Sequence, residues 1–307
     1  MQTTTLGRTG LTVTRGGLGC GGFSRLGIDR GADHAAGIVR AAYDAGVRFF
    51  DTATVYGTQA AVGEGLRGID RDSYVLSTKF FYHDKAAADM ESDLEESLRD
   101  LKTDYVDIYH LHGVAPEDYP RVRDTFVPVM RKLKREGKIR FLGLTEVFAR
   151  DTAHEMFGIA LPEDLFDVIM TGYNILNPSA AKRVLPAARE KNLGVLNMFA
   201  VRKALHSAEQ LTVDIDRILA RGQVDPALID RKAPLGFLTR GGDAASIMDA
   251  AYRFCCHTPG IDVVLTGTGS KAHLLENLTS IEKPPLPRGI LEKIETLFGN
   301  VDCVSGQ

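Results

Sequence analysis

The chain has 307 residues, 44% of them hydrophobic and 25% charged, with a formal net charge of -3 from 37 Lys and Arg against 40 Asp and Glu. That composition suits a globular protein with a full-sized core. It offers no cationic surplus for counterion release, so nucleic acid is not an expected partner. The start, Met1–Val13, lacks an apolar signal-peptide run, and no stretch approaches the roughly 18 apolar residues of a membrane span, so a cytoplasmic protein without membrane attachment is expected. Cys20, Cys255, Cys256 and Cys303 show no C-x-x-C spacing and read as reduced packing residues.

In chain order, Thr3–Leu6 and the LTVT stretch from Leu11 predict a hairpin, with Arg8-Thr9-Gly10 supplying its turn. Short apolar runs then alternate with longer amphipathic segments, the pattern of a parallel sheet with crossover helices. The expected strands are GGLGCGG near Gly17, VRFFDTA from Val47, YVLSTKF from Tyr74, YVDIYHLH from Tyr105, IRFLGLTE from Ile139, FDVIMTGYN from Phe166, LGVLNMFAV from Leu193 and DVVLTGTG from Asp262. Between them the expected helices run from Ala32 to Ala45, Thr58 to Gly68, Ala86 to Leu101, Asp118 to Glu136, Phe148 to Phe157, Pro178 to Lys191, Asp243 to His257 and Lys271 to Ser280. Met90, Leu94, Leu98 and Leu101 recur at helical spacing with Glu91, Glu95, Glu96 and Arg99 on the other face, which marks a barrel-coating helix.

Eight such units in about 250 residues predict a closed (β/α)8 TIM barrel. The absence of a Pro/Gly/Ser-rich linker predicts one domain over residues 1–307. The connection Arg202–Gly242, after the seventh barrel strand, far exceeds an ordinary βα loop and is a candidate lid.

Catalytic groups of such barrels stand at the C-terminal ends of strands. Asp51, Tyr56, Lys79 and His112 occupy those positions. An ammonium beside a tyrosine favours phenolate and lowers a pKa of about 10, an aspartate holds the lysine charged, and a neutral histidine orients a carbonyl oxygen. The expected unit is therefore a proton donor for a carbonyl.

FFDTATVYG, VLSTK, DYVDIYHLHG, REGKIRFLGLTE, GYN and LTGTGSKAHLLENL together resemble the aldo-keto reductase superfamily, over Leu6 to Asn277. The resemblance implies an NAD(P)(H)-dependent oxidoreductase with Tyr56 as general acid or base, Lys79 and Asp51 as its tuning pair and His112 as the carbonyl-orienting residue. It leaves His110 as a core histidine in a different environment, although simple alternation would set both histidines on one face. It also implies that NADP(H) or NAD(H) lies against Gly21, Gly22, Phe23 and Asp51 near the first strands. The carboxamide falls near Thr145, Glu146 and Met170, where relatives carry Ser, Asn and Gln. The stacking position falls at Met198 or Phe199, beside Ala200. The phosphates and adenosine fall on Gly267, Thr268, Gly269, Ser270, Lys271 and Asn277.

Gly17, Gly19 and Gly22 spell G-x-G-x-x-G, yet a polar stretch rather than a helix follows, so a doubly wound dinucleotide fold is not expected. His110-Leu111-His112 also resembles the H-x-H of barrel metallohydrolases, but later strand ends add only Glu146, and no metal is expected. A non-catalytic cofactor-binding subunit on the same fold is the other alternative. The expected partner is a small carbonyl or alcohol substrate, and the chain is expected as a monomer or weak homo-oligomer.

Overall fold

A computed structural model describes residues 1–307. β1 (Thr3–Thr5) and β2 (Thr12–Thr14) pair antiparallel, with Gly10 in the left-handed region at φ 72° between them. Eight strands follow: β3 (Gly16–Gly19), β4 (Phe49–Asp51), β5 (Val75–Phe80), β6 (Val106–Val114), β7 (Ile139–Glu146), β8 (Val168–Gly172), β9 (Gly194–Met198) and β10 (Val263–Thr266). They pair in parallel in chain order, and β10 returns to β3 to close the barrel. This is the expected (β/α)8 architecture.

Alternation along each strand sorts side chains into an outer set against the helices and an inner set filling the barrel. Phe49, Val75, Ile108, Val168, Met170, Leu196 and Val263 share one inner cluster with Leu6, Leu11 and Val13 of the hairpin. The hairpin is thus an apolar floor. Leu6 lies so close to β9 that a Cβ on Gly194 would stand 2.7 Å from its Cγ. Outside, 55 buried apolar residues join the strands to the helices, with Met90, Leu94 and Leu101 of helix Asp89–Leu101 among them as their spacing predicts.

Three helical expectations change. The helix expected from Phe148 begins only at Glu155, because the Asp151 carboxylate accepts from the amides of Glu155 and Met156 and His154 holds the left-handed conformation at φ 60°. The Pro178–Lys191 segment splits into Ala180–Arg183 and Leu185–Glu190, since Pro186 has no amide to continue the ladder. The long connection after β9 is present but is not a loose lid. It carries helices Lys203–His206 and Ala208–Ala220, the latter capped by Ser207. Leu211, Ile215 and Ile218 pack with Leu286, Ile294, Leu297 and Phe298 in a second core of 20 buried residues. The C-terminal helix Arg288–Phe298 that completes this core stands outside the eight predicted units. No helix is long and apolar enough to cross a membrane.

The floor residue Leu6 is fully buried, so Leu6→Ala should cost about 2–5 kcal/mol through lost burial and a retained cavity. Urea unfolding checks this, and a loss below about 0.5 kcal/mol would mean that the hairpin does not seal the barrel.

Candidate active site

Above the apolar floor the inner faces turn polar. Asp51 closes β4, Ser77 and Lys79 follow Val75 at alternate positions of β5, and His110 and His112 follow Ile108 on β6. Lys79 is fully buried and donates from Nζ to Asp51 Oδ2 at 2.6 Å and to the Thr52 carbonyl at 2.7 Å, while Ser77 donates to Asp51 Oδ1 at 2.8 Å. Burial alone would lower the Lys79 pKa, but the Asp51 carboxylate and Tyr56 more than offset it and hold the ammonium charged. Burial pushes the Asp51 carboxyl up, and Lys79 and Ser77 oppose that push.

Tyr56 ends a short 3-10 turn, Thr54–Tyr56, terminated by Gly57 in the left-handed region at φ 66°. Its ring lies with Lys79 Nζ 4.9 Å from the centroid, and its hydroxyl stands 3.3 Å from His112 Nε2. A Cβ on Gly21 would fall 2.5 Å from this ring, so only glycine lets β3's outgoing chain pass there. The phenol differs from the simple expectation. Burial raises its pKa above the ordinary 10.0, and Lys79 pulls it down without overcoming burial. Burial and the Lys79 charge together hold the His112 imidazole down at about 3, so it is neutral at physiological pH. Asp51, Tyr56, Lys79 and His112 therefore converge as one hydrogen-bonded and charge-coupled group.

His110 corrects the expectation of a separate environment. It lies on the same inner face as His112, one layer deeper, and a Cβ on Gly143 of β7 would strike its ring at 2.1 Å. Neither ring nitrogen has a partner, and burial holds its pKa well below the ordinary value. No group of three His, Cys, Asp or Glu side chains gathers around the pair.

The remaining predicted positions divide by strand face. Thr145 points inward and its Oγ1 accepts from the Gly113 amide at 2.6 Å. Glu146 points the other way. Its carboxylate accepts from His154 Nδ1 at 2.9 Å, Thr171 Oγ1 at 2.9 Å and the Gly172 amide at 2.7 Å, all outside the barrel. The charge that distinguished this position is thus absorbed in a buried cluster, and the carboxylate does not face the mouth. Met170 packs inside with the floor residues, beneath the polar layer. Met198 faces inward at the end of β9, whereas Phe199 sits at the rim with φ 67°, edge-on to Phe148 at 5.5 Å, and Ala200 is buried behind it.

Next to these residues, beyond the ends of β10 and β3, the glycines form a cradle. A Cβ on Gly267 would lie 2.8 Å from the Gly19 carbonyl, and one on Gly269 would lie 2.7 Å from Gly27. Ser270 caps helix Lys271–Glu282 by accepting from the His273 amide at 3.4 Å, which leaves the Lys271 and Ala272 amides at the helix start without helical acceptors. Thr268 Oγ1 accepts from the Ser270 amide, and Asn277 Nδ2 donates to Thr266 Oγ1 at 2.9 Å, leaving its carbonyl oxygen uncommitted. Exposed Phe23 and Gly22, with φ 70°, complete the rim beside β3. The free amides and the glycine cradle fit a dinucleotide's phosphates.

Three neighbours escaped sequence reasoning. Ser77 is legible in hindsight, two residues before Lys79 on the same face. Phe81, with its ring 6.0 Å from that of His112, and Arg202, with its guanidinium carbon 3.7 Å from the Phe199 centroid, lie in loops that carry no periodic signal.

Residues 17–297 match the Aldo/keto reductase family. Among curated relatives, L-galactose dehydrogenase of Arabidopsis thaliana is 31% identical over 62% of this chain, a stretch that spans 63% of that relative's length. Aldo-keto reductase YhdN of Bacillus subtilis is 27% identical over 98% of this chain and 94% of its own. The D-threo-aldose 1-dehydrogenase of a Pseudomonas species is 25% identical over 87% and 89%. Among solved structures, the holo form of aldo-keto reductase AKR11C1 from Bacillus halodurans superposes with a TM-score of 0.71 at 23% identity, covering 98% of this chain and 97% of that one. An aldo-keto reductase from Klebsiella pneumoniae in complex with NADPH superposes with a TM-score of 0.70 at 23% identity over the same shares. With the family match covering most of a closed eight-stranded barrel, this chain belongs to the Aldo/keto reductase family.

Proposed function

We propose that the chain, acting as one domain, is an NAD(P)(H)-dependent oxidoreductase that interconverts a carbonyl and an alcohol, with Tyr56 as general acid and base. The observation that carries this reading is the meeting of the Tyr56 hydroxyl and a neutral His112 Nε2 at 3.3 Å above a buried Lys79–Asp51 pair. The nicotinamide cofactor, when bound, supplies or accepts the hydride. Met198, Thr145 and the Gly21–Gly22 turn would hold its reactive end, and Gly267 to Lys271 with Asn277 its phosphates and adenosine. A carbonyl oxygen placed between the Tyr56 hydroxyl and His112 Nε2 accepts a hydrogen bond from each, given the imidazole tautomer with the proton on Nε2. His112 orients this oxygen without competing as an acid, because its proton-binding range lies far below neutrality. Tyr56 passes its proton to the oxygen as the alcohol forms, and Lys79 stabilises the phenolate left behind. The reverse sequence oxidises an alcohol, and the aldose and sugar dehydrogenases among the relatives support including sugars with simple aldehydes and ketones as substrates. Intact Tyr56, Lys79 and His112 favour an enzyme over a binding subunit. Exposed Phe23, Val55 and Phe81 give the mouth an apolar rim suited to an uncrowded carbonyl substrate.

Tyr56→Phe should lower kcat by about 100- to 10000-fold while the cofactor Kd stays nearly unchanged, because it removes the transferred proton and leaves the glycine cradle intact. Steady-state kinetics with calorimetric cofactor binding checks this, and turnover close to wild type would sink the mechanism.

The pH dependence follows from the two shifts. His112 is already neutral throughout, so kcat/KM for reduction should show no histidine limb between about pH 5 and 8. The alkaline limb belongs to the phenol. Removing the ammonium removes a force that lowers its pKa, so Lys79→Met, combined with Asp51→Asn to avoid stranding a buried carboxylate, should move that limb to higher pH. A limb that stays fixed would uncouple Lys79 from Tyr56.

Cofactor choice rests on weak charges. Gly267 supplies none, His273 and Lys271 are exposed at the helix start, and Lys271 is a mobile point charge rather than a fork. NADPH and NADH should therefore differ in kcat/KM by less than about a thousandfold, or ~4 kcal/mol. If NADPH prevails, Lys271→Ala should erase the preference, and persistence of the preference would assign the phosphate to other residues.

A further inference from the structure

Arg202 is a cation in an unusual position. It follows β9 by four residues, at the barrel mouth, and its backbone is anchored through the helix that comes next. Its carbonyl accepts from the Leu205 amide at 2.9 Å, and the next helix docks on the chain's last segment through Ala204 N donating to the Gly306 carbonyl at 2.9 Å. Asn174, just beyond β8, donates to the Ser305 carbonyl and ties that segment to the barrel. The guanidinium carbon lies over the Phe199 ring, 3.7 Å from its centroid, and 5.7 Å from the Phe23 centroid, and Nη1 would stand 3.1 Å from a Cβ on Gly22. The neighbouring Gly21 carries the Tyr56 ring, so Arg202 and Tyr56 flank one glycine pair.

The side chain has no carboxylate partner and makes no hydrogen bond, and its Nε is buried without an acceptor. The other arginines at partly buried positions are all satisfied: Arg71, Arg123 and Arg253 pair with Asp107, Glu163 and Asp249, and Arg15, Arg40 and Arg48 donate to backbone carbonyls. Burial lowers its pKa, and the only titratable group whose charge acts on it is Tyr56. A phenol that stays protonated is no counter-ion. An uncompensated guanidinium in a half-buried site is costly, and a carboxylate or phosphate that offers it two oxygens in its own plane relieves that cost.

We propose that Arg202 anchors an anionic group of the substrate, so that the carbonyl compounds preferred by this chain carry a carboxylate or phosphate near the reacting carbon. The proposal rests on the carbonyl–alcohol reading above and narrows it. The anion pairs with Arg202 while the carbonyl oxygen reaches Tyr56 and His112, and Phe23 and Phe81 flank the body of the molecule. Phosphates of the cofactor have separate donors in the amides at the start of helix Lys271–Glu282, which leaves Arg202 to the substrate.

The test uses two matched pairs, 4-carboxybenzaldehyde with its methyl ester and glyceraldehyde 3-phosphate with glyceraldehyde, on wild type, Arg202→Met and Arg202→Lys. Wild type should prefer the anionic member of at least one pair by about tenfold or more in kcat/KM, the pair showing which anion is taken. Arg202→Met should bring that ratio to within about threefold of one, with Arg202→Lys between the two, since a point charge replaces the fork. Calorimetry supplies the readout without turnover. Benzene-1,4-dicarboxylate or inorganic phosphate should bind the NADP+-loaded wild type and lose at least about tenfold in affinity in Arg202→Met, while the NADPH Kd moves by less than about threefold. A wild-type ratio of one or below, or equal losses on both members of each pair, overturns the proposal. So does a tenfold weakening of NADPH with unchanged ratios, which would give Arg202 to the dinucleotide. If wild type turns over no aldehyde with either cofactor yet loses anion binding on Arg202→Met, the anion site stands and the carbonyl–alcohol reading falls.

Discussion

A lysine with no exposure to solvent must be held charged by its surroundings, and the interior of this barrel is arranged around that requirement. Lys79 satisfies two of its three donors with Asp51 and the Thr52 carbonyl, and Ser77 takes up the second carboxylate oxygen. Taking both charges out of water costs several kcal/mol per ion, so the pair persists only because its geometry is tight and its remaining lone pairs are filled. The apolar floor below keeps water from entering beneath it. Above it, Tyr56 and His112 feel a fixed positive charge at close range in a poorly screened medium, which is what turns two ordinary side chains into a coupled group.

Glycines make the space for this arrangement where large rings approach the wall. Gly143 gives room to His110, Gly172 to Phe148 and Gly21 to Tyr56. At each of these positions a methyl group would occupy the volume of a ring atom. The mouth is therefore shaped by the strand backbones on one side and by rings on the other, and small changes at the glycines would displace the rings that carry or border the chemistry.

Much of this was legible in the sequence because barrel strands advertise themselves. IRFLGLTE is one of the short apolar runs and forms β7 over the same residues, and Asp51, Lys79 and His112 stand towards strand ends where the fold collects its functional groups. Properties that depend on the third dimension were not legible. The resemblance sets Glu146 near the carboxamide, but one step of alternation turns it outward to His154, whose left-handed backbone no periodicity announces. The direction of the Tyr56 shift depends on burial competing with the Lys79 charge, a balance of distances that spacing along the chain does not contain. Arg202 is informative through what it lacks, and a missing partner is invisible in a string of residues.

The closing seam between β3 and β10 joins residues about 250 positions apart, with Val264 opposite Gly16 and Leu265 opposite Gly17. Closing so long a loop directly carries an entropic cost that grows with the logarithm of its length, and the intervening units reduce that cost by bringing the two edges together. The glycine turn that runs from Gly19 to Gly22 begins at this seam, and it is the surface on which both Tyr56 and Arg202 rest. Folding intermediates with an open seam would hold the Lys79–Asp51 pair against an unfinished wall, admitting water to the charges. Closure of the barrel and the maturation of its electrostatics are in this sense one and the same requirement.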